Sequence, residues 1–159
     1  MGKKQYWLFK SEPSSYSFLD LLEDRVAEWD GVRNYQARNF MRLDMRIGDE
    51  ILFYHSEQGN QAIFGTARVV QEGYPDFTAW DSTSKHFDPK SNPDNPIWFM
   101  VDIEVVQTFL RPVTLKEIKD VPQLQNMGLL RRGNRLSIQP LTENEYNVVV
   151  ALGNATTID

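Results

Sequence analysis

Short apolar runs that alternate irregularly with capped helical segments are the feature that most constrains the fold of this chain. Five runs have the length and composition of β-strands: residues 6–10, 51–55, 62–70, 97–108 and 135–139. Only a turn at residues 57–60 separates the second run from the third, so these two predict a hairpin. Gly65 inside the third run indicates a bulge or a close approach of the backbone. Helices are predicted between some strands but not others, unlike the regular alternation of a doubly wound parallel sheet. We therefore expect an α+β fold with a curved, mostly antiparallel sheet that closes toward a barrel and is flanked by short helices.

Helix starts are marked by residue pairs in which a side-chain oxygen can accept a hydrogen bond from a backbone N–H three positions later. Such pairs are Ser17 with Asp20, Thr114 with Glu117, and Thr142 with Glu145. The first helix is expected to turn four apolar side chains inward: Phe18, Leu21, Leu22 and Val26. A further short helical segment is expected over residues 121–130, and Gly153 is expected to end the last helix.

Residues 71–96 contain four prolines and four aromatic residues, and no helix or strand of useful length is predicted there. Loops this long within a compact domain are usually functional or disordered. The aromatic residues indicate packing, so we expect this segment to contribute to function.

The length and composition of the chain fit one domain. We place that domain at residues 1–153 of the 159, with residues 154–159 as a C-terminal tail. Apolar residues make up 41% of the chain, and no apolar run approaches the roughly 20 residues of a membrane span. The absence of cysteine excludes disulfides and thiolate zinc sites, and the first residues lack the apolar core of a signal peptide. We expect a monomeric cytoplasmic protein, or a nuclear one if the source is eukaryotic.

Residues 29–46 concentrate the side chains that could form a binding site. Trp29 is followed at once by Asp30 and Gly31, which are a turn signal. Asn34 is placed to cap a short helix that begins near Tyr35, because its side-chain oxygen can accept from a free N–H of the first turn. The stretch therefore predicts a tryptophan beside a turn, followed by a helix.

Within this helix, the spacing predicts an apolar stripe and an arginine pair. Ala37, Phe40 and Met41 recur at helical spacing, which predicts a buried face. Arg38 and Arg42 are four residues apart and so point the same way. Because like charges at this spacing repel, an anionic partner is expected beside them, although solvated arginines on an ordinary surface helix show the same pattern.

Charge is distributed unevenly along the chain. The net charge of −5 argues against a protein that grips nucleic acid mainly by bulk electrostatics. Two segments are nevertheless basic, since residues 31–46 hold four arginines against one aspartate and residues 127–140 hold three arginines and no acid. Such local patches fit a site that handles one or a few nucleotides. The candidate phosphate contacts are Arg33, Arg38, Arg42 and Arg135.

Aromatic rings and mixed polar groups could together form a pocket for a nucleobase. The candidate rings are Trp29, Tyr35, Tyr54, Tyr74, Trp80 and Trp98. Any of these rings could equally be a core residue. Lys10 and Ser11 stand at one predicted strand end, His55 ends a neighbouring strand, and with Asn34 they offer the donors and acceptors that reading a base edge requires. Capping and turn formation would use the same residue types.

Signals for catalysis and metal binding are weak. Ser11 and His55 could form a hydrolytic triad with Glu12 or Asp76, but no nucleophile motif surrounds the serine. There is no spaced cluster of histidines and no glycine-rich phosphate loop. We therefore expect a binding module rather than an enzyme, with no metal and no cofactor.

Five sequence strings, in order from residue 6 to about residue 152, carry a family resemblance. They are YWLFKSEP, WDGVRNYQARNFMR, GDEILFYHS, GTARVVQEGYPDFTAWD and RLSIQP. Together they resemble the EVE domain family, a branch of the PUA-like superfamily that also contains the YTH domain. The resemblance implies a PUA-like barrel that reads a modified nucleobase, and it favours 5-methylcytosine or an oxidised form in DNA over methyladenine in RNA. In YTH relatives a tryptophan after the first helix forms one wall of the base cage, and Trp29 resembles it.

The residues and the resemblance together predict a nucleic-acid-binding module that takes a modified base, flipped out of its stack, into an aromatic pocket. The predicted pocket residues are Lys10, Ser11, Trp29, Asn34, Tyr35, His55, Tyr74 and Trp98. The expected partner is nucleic acid with a modified base, and no membrane association is expected. Two alternatives stay open: an enzyme that acts on a nucleobase or nucleotide with His55 as general base, and a module that binds RNA or peptide.

Overall fold

A six-stranded sheet organises the computed structural model, which describes residues 3–155. In chain order the strands are β1 (Tyr6–Ser11), β2 (Val26–Glu28), β3 (Glu50–His55), β4 (Ala62–Pro75), β5 (Phe99–Thr114) and β6 (Ile138–Leu141). Across the sheet they lie in the order β2-β5-β4-β3-β1-β6. The β1–β3 pair is parallel and the other pairs are antiparallel, which confirms a mixed α+β fold with a mostly antiparallel sheet.

The predicted closure toward a barrel is wrong. Strands β2 and β6 are the two edges of the sheet, and within residues 3–155 they do not pair with each other. A barrel requires its first and last strands to share a ladder of hydrogen bonds. Here the two edge strands are short, with three residues in β2 and four in β6, and each pairs with one neighbour only.

Short helices connect the strands and flank the sheet. They are α1 (Phe18–Asp24), α2 (Tyr35–Asn39), which continues into a π-helical turn (Phe40–Asp44), α3 (Leu115–Asp120) and α4 (Glu143–Gly153), with 3₁₀ turns at Phe77–Trp80, Pro122–Leu124 and Gly128–Leu130. The predicted caps are confirmed, because each cap oxygen accepts from the expected backbone N–H: Ser17 for α1, Asn34 for α2, Thr114 for α3 and Thr142 for α4. None of these helices is long and apolar enough to cross a membrane.

Strand β2 is an element that the sequence did not predict. Val26, expected on the inner face of α1, lies instead on β2 and is exposed. The helix ends at Asp24 because Arg25 adopts a positive φ of 71°, which breaks the helical path. Three residues of chain then pair with β5 before the turn at Asp30.

Strands β4 and β5 are both longer than predicted, and residues 71–75 of β4 lie in the segment expected to be loop. Register shifts along this pair interrupt the alternation of apolar and polar side chains, so the sequence pattern does not predict the full length of the strands. The bulge predicted at Gly65 is confirmed, since the pairing shifts there and a Cβ at Gly65 would lie 2.2 Å from the Gln107 carbonyl oxygen. The last strand begins at Ile138, three residues later than expected.

Alternate residues of β1 and β3 pack on opposite faces of the sheet. Phe9 and Phe53 belong to the core under α1 and α2. Leu8 and Leu52 belong to a second core under α3 and α4. This period of two is the ordinary geometry of a strand, and it makes the central strands apolar throughout because both faces are covered.

The buried carboxylate of Asp49 ties β1 to the turn before β3. It accepts four N–H donors, namely the backbone and side chain of Gln5 (both 3.1 Å), the indole of Trp7 (3.1 Å) and the backbone of Arg46 (3.0 Å). A buried carboxylate is tolerated only when such donors satisfy it. Asp49 therefore holds the start of β1 next to the turn that precedes β3.

We predict that Asp49→Asn lowers the free energy of unfolding by about 2–3 kcal/mol. In asparagine an NH₂ group replaces one carboxylate oxygen, so the N–H groups that donated to that oxygen lose their acceptor. Urea denaturation followed by circular dichroism measures this change. Asp44→Asn is the matched control, since Asp44 is exposed on the preceding turn, and its effect should stay within about 0.5 kcal/mol. Equal effects of the two substitutions would show that Asp49 is not a structural anchor.

Candidate functional site

An open cleft of about 870 Å³ lies at the end of β1, beside β2 and the turn that follows it. Its lining comes from four parts of the chain: residues 10–16, residues 24–33, residues 84–86 and Ser137. The segments meet because Lys10 donates its backbone N–H to the Ser137 carbonyl (2.8 Å) and Trp29 donates its own to Val101 on β5 (2.8 Å). Three of the predicted pocket residues line this cleft: Lys10, Ser11 and Trp29.

Trp29 forms a rigid wall of the cleft. Its ring packs against Phe9, Phe53 and Tyr16, with ring centroids 5.3, 5.7 and 6.0 Å away. The residue is 8% exposed, so the indole belongs to the core and presents only its remaining surface to the cleft. An aromatic ring held on three sides needs no reordering to stack on a ligand.

Polar groups in the cleft are partly withdrawn from water. Burial lowers the pKa of the Lys10 ammonium. Desolvation by the cleft walls raises the pKa of Asp30, and the neighbouring Asp76 carboxylate adds to this effect. The Ser11 hydroxyl donates to the Tyr16 carbonyl. The cleft therefore offers a cation and a carboxyl group whose charges would be better satisfied by a bound polar ligand.

Asp76 anchors the turn that carries Trp29. It is fully buried, and its Oδ2 accepts from the Gly31 N–H (2.8 Å) and from Nη1 of Arg33 (3.0 Å), while its Oδ1 accepts from the backbone and hydroxyl of Thr78. Burial alone would raise the pKa of this carboxyl. The hydrogen bonds from Thr78, Gly31 and Arg33 outweigh burial and hold its pKa below the ordinary value.

Arg33 holds the loop at residues 84–86 against the turn after Trp29, and Gly31 leaves space for that loop. Nε and Nη2 of Arg33 donate to the His86 carbonyl at 3.2 and 2.6 Å. Gly31 has a φ of +79°, and a Cβ there would lie 2.5 Å from the His86 ring, so only glycine fits. Arg33 is a predicted phosphate contact, but four of its five N–H groups donate within the protein, so only one of them is left for a phosphate.

Tyr35 and Trp98 form a separate feature that does not line the cleft. Their rings stack with centroids 4.9 Å apart and an interplanar angle of 26°. The Trp98 indole donates to Asp88 (2.7 Å), and this hydrogen bond lowers the pKa of that carboxyl. The guanidinium carbon of Arg38 lies 4.8 Å from the Tyr35 centroid, and that of Arg33 lies 5.4 Å from the Trp98 centroid. We call these two rings the Tyr35–Trp98 stack.

The other predicted pocket residues have structural contacts outside the cleft. The Asn34 side chain accepts from the Ala37 N–H (3.0 Å) as the α2 cap. The Tyr74 hydroxyl donates to Asp102 on the neighbouring strand β5. Nε2 of His55 accepts from the Phe18 N–H (2.9 Å). The structure therefore does not gather all eight predicted residues at one site.

Of the remaining predicted phosphate contacts, Arg42 lies over the Phe99 ring at 4.9 Å and Arg135 is exposed in the loop before β6. Neither they nor Arg38 form a salt bridge within residues 3–155. Their charges are thus available to an anionic partner. Of these three arginines, Arg135 is the one near a cleft residue in sequence, since it lies two positions before Ser137.

Sequence reasoning missed Asp30 and Tyr16 as cleft residues. From the sequence, Asp30 is predicted only to be a turn residue, although an acid next to a tryptophan expected to form a pocket wall indicates a possible pocket residue. Nothing local distinguished Tyr16, because the contact of its ring with Trp29 is a long-range one.

The groups needed for hydrolysis are not assembled. Ser11 and His55 are neighbours across the β1–β3 pair, but the Ser11 hydroxyl donates to a backbone carbonyl and Nε2 of His55 is occupied by a backbone N–H. A general base requires a free lone pair within reach of the proton it removes. No group of three or more metal-ligating side chains is present in the described part of the chain.

Comparison with known proteins identifies relatives over most of the chain. A family model described as the EVE domain matches residues 5–152. Human thymocyte nuclear protein 1 is 43% identical over 166 residues, covering 92% of this chain and 73% of the human protein. A structure of a hypothetical protein from Leishmania major has a TM-score of 0.89 and 43% identity, covering 95% of each chain. The structure of human THYN1 in complex with DNA that contains 5-methylcytosine has a TM-score of 0.87 and 41% identity, covering 94% of this chain and 98% of that one.

We predict that His55 makes the fold sensitive to acid. Burial lowers the pKa of His55 below 6.5, so the folded protein keeps the ring neutral, and protonation at Nε2 would break the hydrogen bond to the start of α1. The unfolded chain takes up the proton at the ordinary pKa of roughly 6.5. Stability contributed by the neutral ring is therefore complete above that pH and falls as the pH drops through it.

Thermal denaturation at about pH 7.5 and about pH 5.5 tests this linkage. His55→Gln should be less stable than wild type at the higher pH but should lose less stability between the two pH values. Parallel losses in both proteins would show that other groups cause the acid sensitivity.

Proposed function

Because this chain belongs to the EVE domain family, we propose that it binds DNA carrying 5-methylcytosine or an oxidised derivative, with the modified base flipped into the cleft at Trp29. A structure of human THYN1 (thymocyte nuclear protein 1) with DNA that contains 5-methylcytosine superposes on this chain with a TM-score of 0.87. The observation that carries the proposal is the cleft itself, where a fixed indole faces mixed polar groups. An aromatic wall with few convergent polar groups is the usual composition of a site for a flat heterocycle.

Stacking on Trp29 supplies affinity. A base that stacks on an aromatic side chain gains about 1–3 kcal/mol, and flipping it from a duplex costs a few kcal/mol. The indole is already fixed by Phe9, Tyr16 and Phe53, so little side-chain freedom is lost on binding. Val26 and Ala27 add apolar surface to the same cleft, against which a methyl group can pack.

Polar groups of the cleft supply selectivity for cytosine. The cytosine edge carries an amino donor and two acceptors, and carboxylates are suited to accept from the amino group. Asp30 is the cleft acid that the polypeptide leaves partly desolvated, and the Lys10 ammonium can donate to an acceptor of the base. We assign Asp30 to the amino group and Lys10 to the acceptor side.

Phosphate contacts are few in this proposal. The chain has a net charge of −5, so broad electrostatic attraction to DNA is absent. Arg38, Arg42 and Arg135 are the available cations and would contact phosphates on either side of the flipped nucleotide. The predicted monomeric state, and a nuclear or cytoplasmic location, remain part of the proposal.

We expect wild-type protein to bind a duplex with one 5-methylcytosine, or an oxidised derivative, more tightly than the same duplex with cytosine or an RNA of the same sequence. Fluorescence polarisation with labelled oligonucleotides measures the four affinities. Trp29→Ala should lose about 1–3 kcal/mol of binding to the methylated duplex through the missing stack. Because Trp29 also belongs to the core, its fold is checked by circular dichroism, and Trp29→Phe should retain part of the affinity. Equal affinity for all four ligands would overturn the proposal.

We further expect Asp30→Ala to weaken binding of the methylated duplex by roughly 10- to 100-fold, the worth of a hydrogen bond to a charged group. Removing an acid from a DNA-binding protein would otherwise strengthen binding, so the expected direction is opposite to the electrostatic one. Asp94→Ala is the matched control, because Asp94 is exposed in a turn outside the cleft and should leave affinity unchanged or slightly raised. Stronger binding by both variants would remove Asp30 from the site.

A further inference from the structure

The Tyr35–Trp98 stack is an aromatic feature outside the lining of the cleft. Tyr35 is 60% exposed, whereas Trp98 beneath it is 6% exposed. The tyrosine is the first residue of α2, whose start is fixed by the Asn34 cap. Stacking on the buried Trp98 ring therefore sets the orientation of this exposed tyrosine.

The outer face of Tyr35 is open to a ligand. The guanidinium carbon of Arg38 lies 4.8 Å from the Tyr35 centroid and 6.0 Å from the Trp98 centroid. Since it is near both rings, Arg38 lies at the side of the stack and not over the outer face of Tyr35. The guanidinium is kept there by the Ile97 carbonyl (2.9 Å) and by the Asn39 side chain.

The stack is joined to the cleft through Arg33. This residue lines the cleft, and its guanidinium carbon lies 5.4 Å from the Trp98 centroid. The same arginine is held by Asp76 and by the His86 carbonyl, so the spacing between cleft and stack is fixed. Arg33 therefore connects the wall of the cleft to the Trp98 ring, on which Tyr35 is stacked.

We propose that Tyr35 is a second stacking site, which takes the base of a nucleotide adjacent to the one read in the cleft. The inference rests on the proposed function. Flipping one base deprives its neighbour of a stacking partner, and an exposed aromatic ring replaces that partner regardless of sequence. The cationic side chains of Arg33 and Arg38 flank the stack, where a base with its phosphate would be favoured over an apolar peptide.

Binding measurements with Tyr35→Leu test this proposal, and Tyr35→Phe is the matched variant because it keeps the ring. Tyr35→Leu should weaken binding of methylated and unmethylated duplexes by the same factor, about 5- to 100-fold, since one sequence-independent stack is lost. Tyr35→Phe should bind within about 3-fold of wild type. The preference for 5-methylcytosine should stay unchanged in both variants, because Trp29 and Asp30 are intact.

Photocrosslinking of the wild-type protein gives a second readout that does not depend on a variant folding. A 5-iodouracil is placed on the 5′ or the 3′ side of the 5-methylcytosine, and mass spectrometry locates the crosslinked residue after irradiation. We expect a crosslink at Tyr35 from one of the two positions.

Wild-type affinity in Tyr35→Leu, or crosslinks only at residues other than Tyr35, would overturn the second stacking site. In either case binding that still requires Trp29 would leave the proposed function standing. A loss of the preference for 5-methylcytosine in Tyr35→Leu would also overturn the second stacking site, because Tyr35 would then act through the cleft. If the wild-type protein and the variants bind the methylated and the unmethylated duplex equally well, the proposed function itself fails.

Discussion

The buried carboxylate of Asp76 is the constraint on which the geometry of the cleft depends. It lies just beyond the end of β4 and accepts hydrogen bonds from Gly31 and Arg33, which lie after β2, and from Thr78 in the next turn. A buried charge that lost these donors would destabilise the fold by several kcal/mol, so the donors cannot move away independently. The turn after Trp29 and the loop at His86 are therefore held in one arrangement before any ligand arrives, which is the preorganisation that a small polar site requires.

Trp29 serves the core and the cleft at the same time. The sheet positions it, since its backbone pairs with Val101 and its ring packs on the aromatic residues of β1 and β3. This dual role gives a rigid stacking surface, but it also means that removing the ring disturbs the core. Asp30, at the next position, is the better single probe of recognition because its side chain lines the cleft without belonging to the apolar core.

In the proposed complex, recognition is concentrated in a few contacts. The net charge of the chain is −5, and the arginines proposed to contact phosphate are few. Affinity must then come from stacking and from base-edge contacts, which depend on the identity of the base. A cleft for the modified base and the Tyr35–Trp98 stack for its neighbour would supply two such stacking contacts within one small domain.

The sequence by itself determined the local features of this protein. The caps at Ser17 and Asn34 and the bulge at Gly65 were predictable because each is decided by neighbours along the chain or by one residue type. The family resemblance singled out Trp29, which lines the cleft, and its role as a wall of a base cage stays a prediction. Tertiary structure alone decided the rest: the open edges of the sheet, the extra strand β2, the separation of the Tyr35–Trp98 stack from the cleft, and the use of Arg33 within the protein. Arg33 bonds to residues 43 and 53 positions away, and such partners are chosen by the packing of the whole chain, which no local pattern records.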